Sequence, residues 1–320
     1  MSDHEGSPVS AAPLPPRLAR FHGLRHVAAE PPPHVYFVVS AVFHYLGPSF
    51  AVLLFARVPV LGVAWLRIAS AAVIFAAWRR PWHAFGSLDR EGRRLLVSWG
   101  VVLAIMNACF YSAINRLPLG TVAAIEFLPV IALAALGARS MRNLGALALA
   151  VAGVYLLTDV RLAGAALGFA FAFANALLFA VYIVLADRVA KRPQLSGIDG
   201  LGAAMLIAAV VITPLGGWQA APAFTDPLLL VAGVGVGVSS SVIPYVTDQL
   251  AMVRLPRATY ALMVALLPAI ATIIGVVVLS QIPSPAEVAG VALVIGGVAV
   301  HRAAPSLADR DELAGPGAPD

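Results

Sequence analysis

Two charged residues of opposite sign lie deep inside apolar runs of this chain: Arg67 in VLGVAWLRIASAAVIFAAW and Glu126 in LGTVAAIEFLPV. In hydrocarbon such a charge costs about 2.5–3.5 kcal/mol on insertion scales, so residues of this kind face a bundle interior or a water-filled path. A guanidinium offers a fork of donors that fits a carboxylate. A carboxyl group accepts from an amino group or takes up a proton. One expectation is therefore that Arg67 binds a substrate carboxylate while Glu126 binds an amino group or carries a proton. The alternative is a structural Arg67–Glu126 pair that only holds helices together. Desolvation would favour the protonated carboxyl, whereas a salt bridge to Arg67 would favour the carboxylate.

Depth arithmetic brings other polar residues to the same level. Arg67 and Glu126 each lie seven residues inside runs that start near residues 60 and 119, about 10 Å below the same end. Asn107 lies eight residues before the matching end of the run between them, with Tyr111 one turn above it on the same face. These groups, from three helices, can form a ring around a cavity. Tyr245 occupies the position of Asn107 in the second half of the chain, each eleven residues before a proline, Pro256 and Pro118. It reads as a cavity hydrogen-bonder or as a packed aromatic. Asp248, near the end of its run, reads as a site carboxylate or as an ordinary helix-end acid.

The substrate-binding candidates are thus Arg67, Asn107, Tyr111, Glu126, Tyr245 and Asp248. The proton-coupling candidates are Glu126, Asp248 and His44, the last near the middle of the first run. A lone histidine in an apolar helix is more often a packing residue, and Asn175 in the sixth run carries less weight still. Pro48, Pro129, Pro244 and Pro268 interrupt helices and free backbone carbonyls, either kinking the helix or supplying ligand contacts. The run Ser239-Ser240-Ser241 either lines a path or bonds back to its own helix.

The elements that must position these residues are apolar spans. The 320 residues are 60% hydrophobic and 12% charged, too few charges for a normal wetted surface. The expected fold is an all-α integral membrane protein of ten transmembrane helices: 35–56, 60–78, 95–115, 119–138, 144–160, 164–186, 199–218, 227–250, 257–280 and 286–301. Residues 1–34, with PLPPR and EPPPH, and 303–320, with DRDEL and GPGAPD, read as disordered cytoplasmic tails. The first 30 residues lack the apolar core of a cleavable signal peptide, so the first span would direct insertion. Cys109 alone excludes an internal disulfide or a cysteine metal cluster.

The net charge of +5 distributes in a way that points to orientation rather than to nucleic acid. With the N-terminus in the cytoplasm, seventeen Lys and Arg fall on the inner side and only Arg57, Arg116 and Arg161 on the outer side. Both termini are then cytoplasmic, in a multi-pass cell or inner membrane protein. An internal repeat supports the same count. Arg116-Leu117-Pro118, Thr121 and Leu128-Pro129 recur as Arg254-Leu255-Pro256, Thr259 and Leu267-Pro268. The spacing equals five spans, an odd number, so the second half enters the membrane inverted. The expected units are 35–160 and 164–302, with a substrate site near the midplane between them, as in many secondary transporters.

These features resemble the drug/metabolite transporter superfamily, and within it the ten-span EamA-type exporters, nearest the threonine/homoserine exporter branch. The residues that carry the likeness are Met106-Asn107, Phe110-Tyr111, Leu117-Pro118-Leu119-Gly120, Ile125-Glu126-Phe127 and Pro129. In the second half they are Ala180-Val181-Tyr182, Ile243-Pro244-Tyr245, Asp248 and Arg254-Leu255-Pro256; Arg67 also falls at an arginine position of the family. The resemblance covers roughly residues 36–302. It implies export of small metabolites, commonly amino acids, driven by the proton gradient. The chain departs from the family pattern at Leu267, where an acid is common, and at Ser280-Gln281, where Gly-Glu is common. His44 and Tyr45 stand near a position that often holds lysine.

Other classes fit less well. The Gly233–Gly237 run and Gly290 with Gly296-Gly297 lack a following lysine or a strand, so they read as helix-packing sites rather than phosphate loops. No GxxxxGK[ST] is present for use of ATP. An intramembrane enzyme acting on lipid would need a nucleophile or metal constellation, and no HExxH, paired aspartates or Ser/His pairing appears. A scaffold would not need Glu126 and Arg67 in hydrocarbon, and no filter-like motif suggests a channel. The reading is a proton-antiporting exporter of amino acids by alternating access, or of drugs or other metabolites of the same superfamily. Its partners are the substrate, protons and membrane lipids, with no cofactor, metal or nucleic acid. Monomer and homodimer both suit it.

Overall fold

The computed structural model describes residues 31–137, 140–159, 162–192, 197–255, 263–264 and 266–300. The terminal tails expected from the sequence and the second turn from Pro256 to Thr259 lie almost entirely or wholly outside the described residues. The described part is all α, with no strand. The helices are α1 (Pro33–Leu54), α2 (Val60–Arg79), the short α3 (Trp82–Ser87), α4 (Arg90–Ile114), α5 (Leu119–Gly137), α6 (Met141–Asp159) and α7 (Leu162–Ala190). They continue as α8 (Gly197–Ile212), the short α9 (Ala221–Thr225), α10 (Pro227–Gly237), α11 (Ile243–Arg254), α12 (Leu267–Leu279) and α13 (Pro285–Val300).

Among the described residues, six helical segments are long and apolar enough to cross a membrane: Pro33–Leu54, Val60–Arg79, Arg90–Ile114, Ala165–Val189, Ile198–Thr225 and Pro227–Asp248. The shorter apolar helices Leu119–Pro129, Met141–Leu157, Leu267–Leu279 and Pro285–Val300 fall in the other four segments expected from the sequence. The chain is an all-α membrane protein.

Local chemistry sets the helix ends. Asp89 caps α4, accepting from Gly92 N at 2.7 Å, and Asp226 caps α10, accepting from Leu228 N at 2.9 Å with Pro227 just inside. Ser284 and Glu287 form a reciprocal capping box on α13: Ser284 N donates to Glu287 Oε2 at 2.8 Å and Glu287 N to Ser284 Oγ at 3.2 Å. Arg80 and Ser280 close α2 and α12 in the left-handed region, at φ 47° and 54°. Among the described residues the spans are interrupted by two π turns and one 3-10 turn, the last at Trp218–Ala220. The seventh span passes through a π turn at Thr213–Gly217, and the eighth through another at Val238–Val242, immediately before Pro244.

The helix contacts have a regularity of their own. The long helices pair as α1–α11, α1–α12, α2–α8, α2–α10, α4–α7, α4–α8, α5–α7, α5–α12 and α6–α13. Exchanging each span with the one five places later carries most of these contacts onto one another: α4–α7 becomes α1 against α11, and α5–α7 becomes α12–α1, whereas the α5–α13 contact has no comparable counterpart between α6 and α12. The four shorter helices, α5, α6, α12 and α13, pack on one another, and the remaining six spans form the larger group. Among the shorter helices, α6 and α13 meet main chain to main chain. A Cβ on Gly153 would lie 2.6 Å from Gly290 O, and one on Gly297 would lie 2.7 Å from Ala146 O. Only glycine allows the two backbones to come this near.

Candidate functional site

Arg67 projects from α2 into the bundle and is 6% exposed. Its partners come from the π turn of the eighth span. Arg67 Nε donates to Ser241 Oγ at 3.0 Å, and its Nη2 to the Ser240 carbonyl at 3.1 Å. The second contact has a clear origin in the sequence. Pro244 has no N–H to offer the carbonyl four residues before it, and that carbonyl belongs to Ser240. Ser239 and Ser240 turn their hydroxyls back onto Gly235 O and Val236 O, which leaves Ser241 facing the arginine. Gly47 of α1 sits against Ser240 so closely that a Cβ there would overlap it. The guanidinium also lies over the Tyr111 ring, 5.4 Å from its centroid.

Glu126, 7% exposed on α5, is held by a different helix. Its Oε1 accepts from Asn175 Nδ2 of α7 at 3.0 Å. Arg67 and Glu126 feel each other electrostatically but form no ion pair within 4.0 Å. Each charge is bonded to neutral groups only. Burial of an ion without a counter-ion demands such hydrogen bonds, and here they leave part of each head group uncommitted.

The other candidates gather around this pair unevenly. Tyr245 on α11 lies within electrostatic reach of Arg67, Glu126, Tyr111 and Asp248. Asp248, half-buried, also reaches Tyr182 of α7. His44 reaches Arg67 and packs edge-on against Tyr45 at 5.2 Å between ring centroids. Tyr45 in turn reaches Glu126. Asn107 is buried, but its Nδ2 donates to Leu103 O of its own helix at 2.8 Å. Depth fixes a residue's level; it does not fix where the side chain turns.

Several polar atoms on the helices that carry these groups have no hydrogen-bond partner among the described residues. They are Tyr45 Oη, Tyr111 Oη and Asn175 Oδ1, all fully buried. Tyr111 Oη approaches Ser240 and Arg67 without the alignment of a hydrogen bond. Such atoms in a protein interior are satisfied by an ordered water, a ligand or a rearrangement. Asn175 and Ser241 are the residues that sequence reasoning weighted least and that hold the two charges. A signal for Ser241 existed in the serine run directly before Pro244; for Asn175 there was only its mid-span polarity. No group of three or more His, Cys, Asp and Glu that could hold a metal occurs among the described residues.

Outside the centre, a pocket of about 430 Å³ opens between the Arg116–Pro118 turn and the loop joining α12 to α13. There Gln281 Oε1 accepts from Leu119 N at 3.0 Å, so the residue that departs from the family pattern caps α5.

The sequence of the EamA-like transporter family matches residues 166–302. The threonine/homoserine exporter RhtA of Escherichia coli strain K12 is 30% identical over 256 residues, covering 78% of this chain and 84% of the relative. Its namesake from Salmonella typhimurium strain LT2 is 32% identical over 242 residues, covering 73% and 79%. The chain belongs to the EamA-like transporter family. A protein crystal structure also aligns over 83% of this EamA-like chain and 95% of its own, at 19% identity and a TM-score of 0.53, which shows a shared fold. Membership in a transporter family gives the buried charges of this EamA-like protein a context in which a polar path is expected.

Proposed function

We propose that this protein exports small metabolites, foremost amino acids, by proton antiport with alternating access. The observation that carries the reading is the unpaired arrangement of Arg67 and Glu126. Opposite charges, buried close enough to interact and bonded only to neutral partners, suit the two ends of a zwitterion. Arg67 offers its remaining donors, beside Tyr111, to a carboxylate. Glu126 accepts the ammonium group or, in its absence, a proton. Substrate and proton then compete for one carboxyl group, which is the minimum requirement of an antiporter. Tyr245 and Asp248 continue the polar path toward the arginine-rich end. Two inverted halves, residues 35–160 and 164–302, would rock about the site, in keeping with the approximate exchange symmetry of the helix pairs. Threonine and homoserine are the first substrates to test, since the named relatives export them. The arginine distribution argues for cytoplasmic termini in an inner membrane.

The test is efflux of labelled amino acids from proteoliposomes, with and without an imposed pH gradient. Movement that follows the gradient is expected. Gradient-independent movement would remove the proton, and no movement of any amino acid would remove the substrate class.

A further inference from the structure

Asn175 sits at the centre of the bundle with half of its amide used. Its Nδ2 donates to Glu126 Oε1 at 3.0 Å, while its Oδ1, fully buried, has no partner among the described residues. A primary amide is a donor on one side and an acceptor on the other, and turning it by half a revolution about its last bond exchanges them at little steric cost. A carboxyl group has a matching property. Ionised, it only accepts; protonated, it also donates. We infer that Asn175 reports the protonation of Glu126 to the substrate by reversing its amide. This rests on the antiport reading above and adds a residue and a step to it.

With Glu126 ionised, Nδ2 faces the carboxylate and Oδ1 stands open as a second acceptor. An ammonium group then meets two acceptors, the free Glu126 oxygen and Asn175 Oδ1. When a proton from the aqueous phase adds to Glu126, the new O–H donates to Oδ1, the amide turns, and Nδ2 faces the site. The ammonium loses the charge that attracted it and meets a donor where an acceptor stood. One proton thus acts twice, and the exchange of substrate for proton becomes sharper than neutralisation alone would make it.

The titratable and charged groups that face Glu126 are Arg67 from α2, Tyr45 from α1 and Tyr245 from α11. The described part of α12 carries no titratable side chain, and the apolar part of α4 carries Tyr111, beneath Arg67, and the half-buried Cys109. On α7, Tyr182 reaches Tyr245 and Asp248 rather than Glu126. Of the other neighbours of α5, α6 carries Arg142 at the arginine-rich end and an exposed Tyr155, and α13 carries Glu287 in its capping box. The proton switch therefore has one carboxyl group and one amide.

Two measurements on the full chain test this. Infrared difference spectra between high and low pH, recorded in lipid, should show a carboxyl band and an accompanying side-chain amide band. The carboxyl band should vanish in Glu126→Gln, and the amide band in both Glu126→Gln and Asn175→Leu. An amide band absent from the parent protein, or one that survives Glu126→Gln, would overturn the inference. Binding of labelled threonine should weaken as pH falls. Asn175→Leu should weaken binding at high pH by about tenfold, the scale of one hydrogen bond to a charged group, and should also shrink the ratio of low-pH to high-pH dissociation constants. Asn175→Ala serves if leucine disturbs folding. A variant with weaker binding but the parent's ratio would make Asn175 a merely structural partner and sink the proposal. If the parent binds no amino acid, the substrate reading fails while the infrared test still decides the amide switch.

Discussion

The arginine-rich end and the centre of this molecule use the same chemistry in opposite ways. At the end, charges close on each other. Arg79 meets Asp199 through two bonds of 2.7 and 3.2 Å, tying α2 to α8, and Arg192 reaches Glu91 at 2.7 Å and Asp89 at 3.4 Å. At the centre, Arg67 and Glu126 are held apart, each by neutral groups of a helix from the other half of the chain. In water a closed pair between exposed groups is worth little, about 0–1 kcal/mol. In the interior an open pair is costly, and its persistence needs a purpose such as binding a charged ligand. At the rim opposite charges pair directly, whereas at the centre neutral groups stand between them, the arrangement on which the proposed binding role rests.

The strongest test of this contrast is Glu126→Gln, which keeps the shape and the bond from Asn175 possible while removing the ionisable group. Insertion should be unchanged and gradient-driven transport should fall to background in proteoliposomes; proton-driven activity at the parent level would show that Glu126 is a structural residue. Arg67→Lys keeps the charge but loses the fork and the stacking on Tyr111. It should raise KM for carboxylate-bearing substrates by roughly tenfold, equivalent to about 1.4 kcal/mol, and spare substrates without a carboxylate. Equal loss for both would return the Arg67–Glu126 pair to a purely structural role.

Packing offers a smaller effect away from the charges. Gly153→Leu forces a side chain against the Gly290 carbonyl and should destabilise the protein by about 1–3 kcal/mol, read as a lowered Tm in detergent. The smallest effect is expected at the rim. Asp199→Asn breaks an exposed pair, so stability should change by no more than about 1 kcal/mol and transport little. A large transport defect in that variant would mean that the rim pair also works as a gate.

Much of this arrangement is legible in the sequence, and the limits have physical causes. Blocks of apolar residues broken by Arg and Pro define the spans, because a bilayer tolerates little else. Helical rise then puts Arg67 and Glu126 at one depth. Partners are harder to read. Asn175 lies 49 residues from Glu126 on another helix, and nothing local to either residue announces the bond. Asn107 shows the same limit: helical rise could not tell that its amide turns back to Leu103 O. The π turn at Val238–Val242 rotates the serines relative to a regular helix, so helical phase alone could not pick Ser241 over Ser239. The short α3 was invisible because six residues are too few to show a period.

The meeting of α6 and α13 has a consequence for how this gene can change. Gly153 and Ala146 on one helix, and Gly290 and Gly297 on the other, recur at intervals of seven residues along a seam where main chain touches main chain. A library of all single substitutions, selected for growth under toxic amounts of an exported compound, should therefore show two narrow intolerant stripes there. The exposed positions on the same helix, such as Val151 and Tyr155, should accept almost any apolar residue. Heredity at that seam is constrained by the absence of side chains rather than by their chemistry.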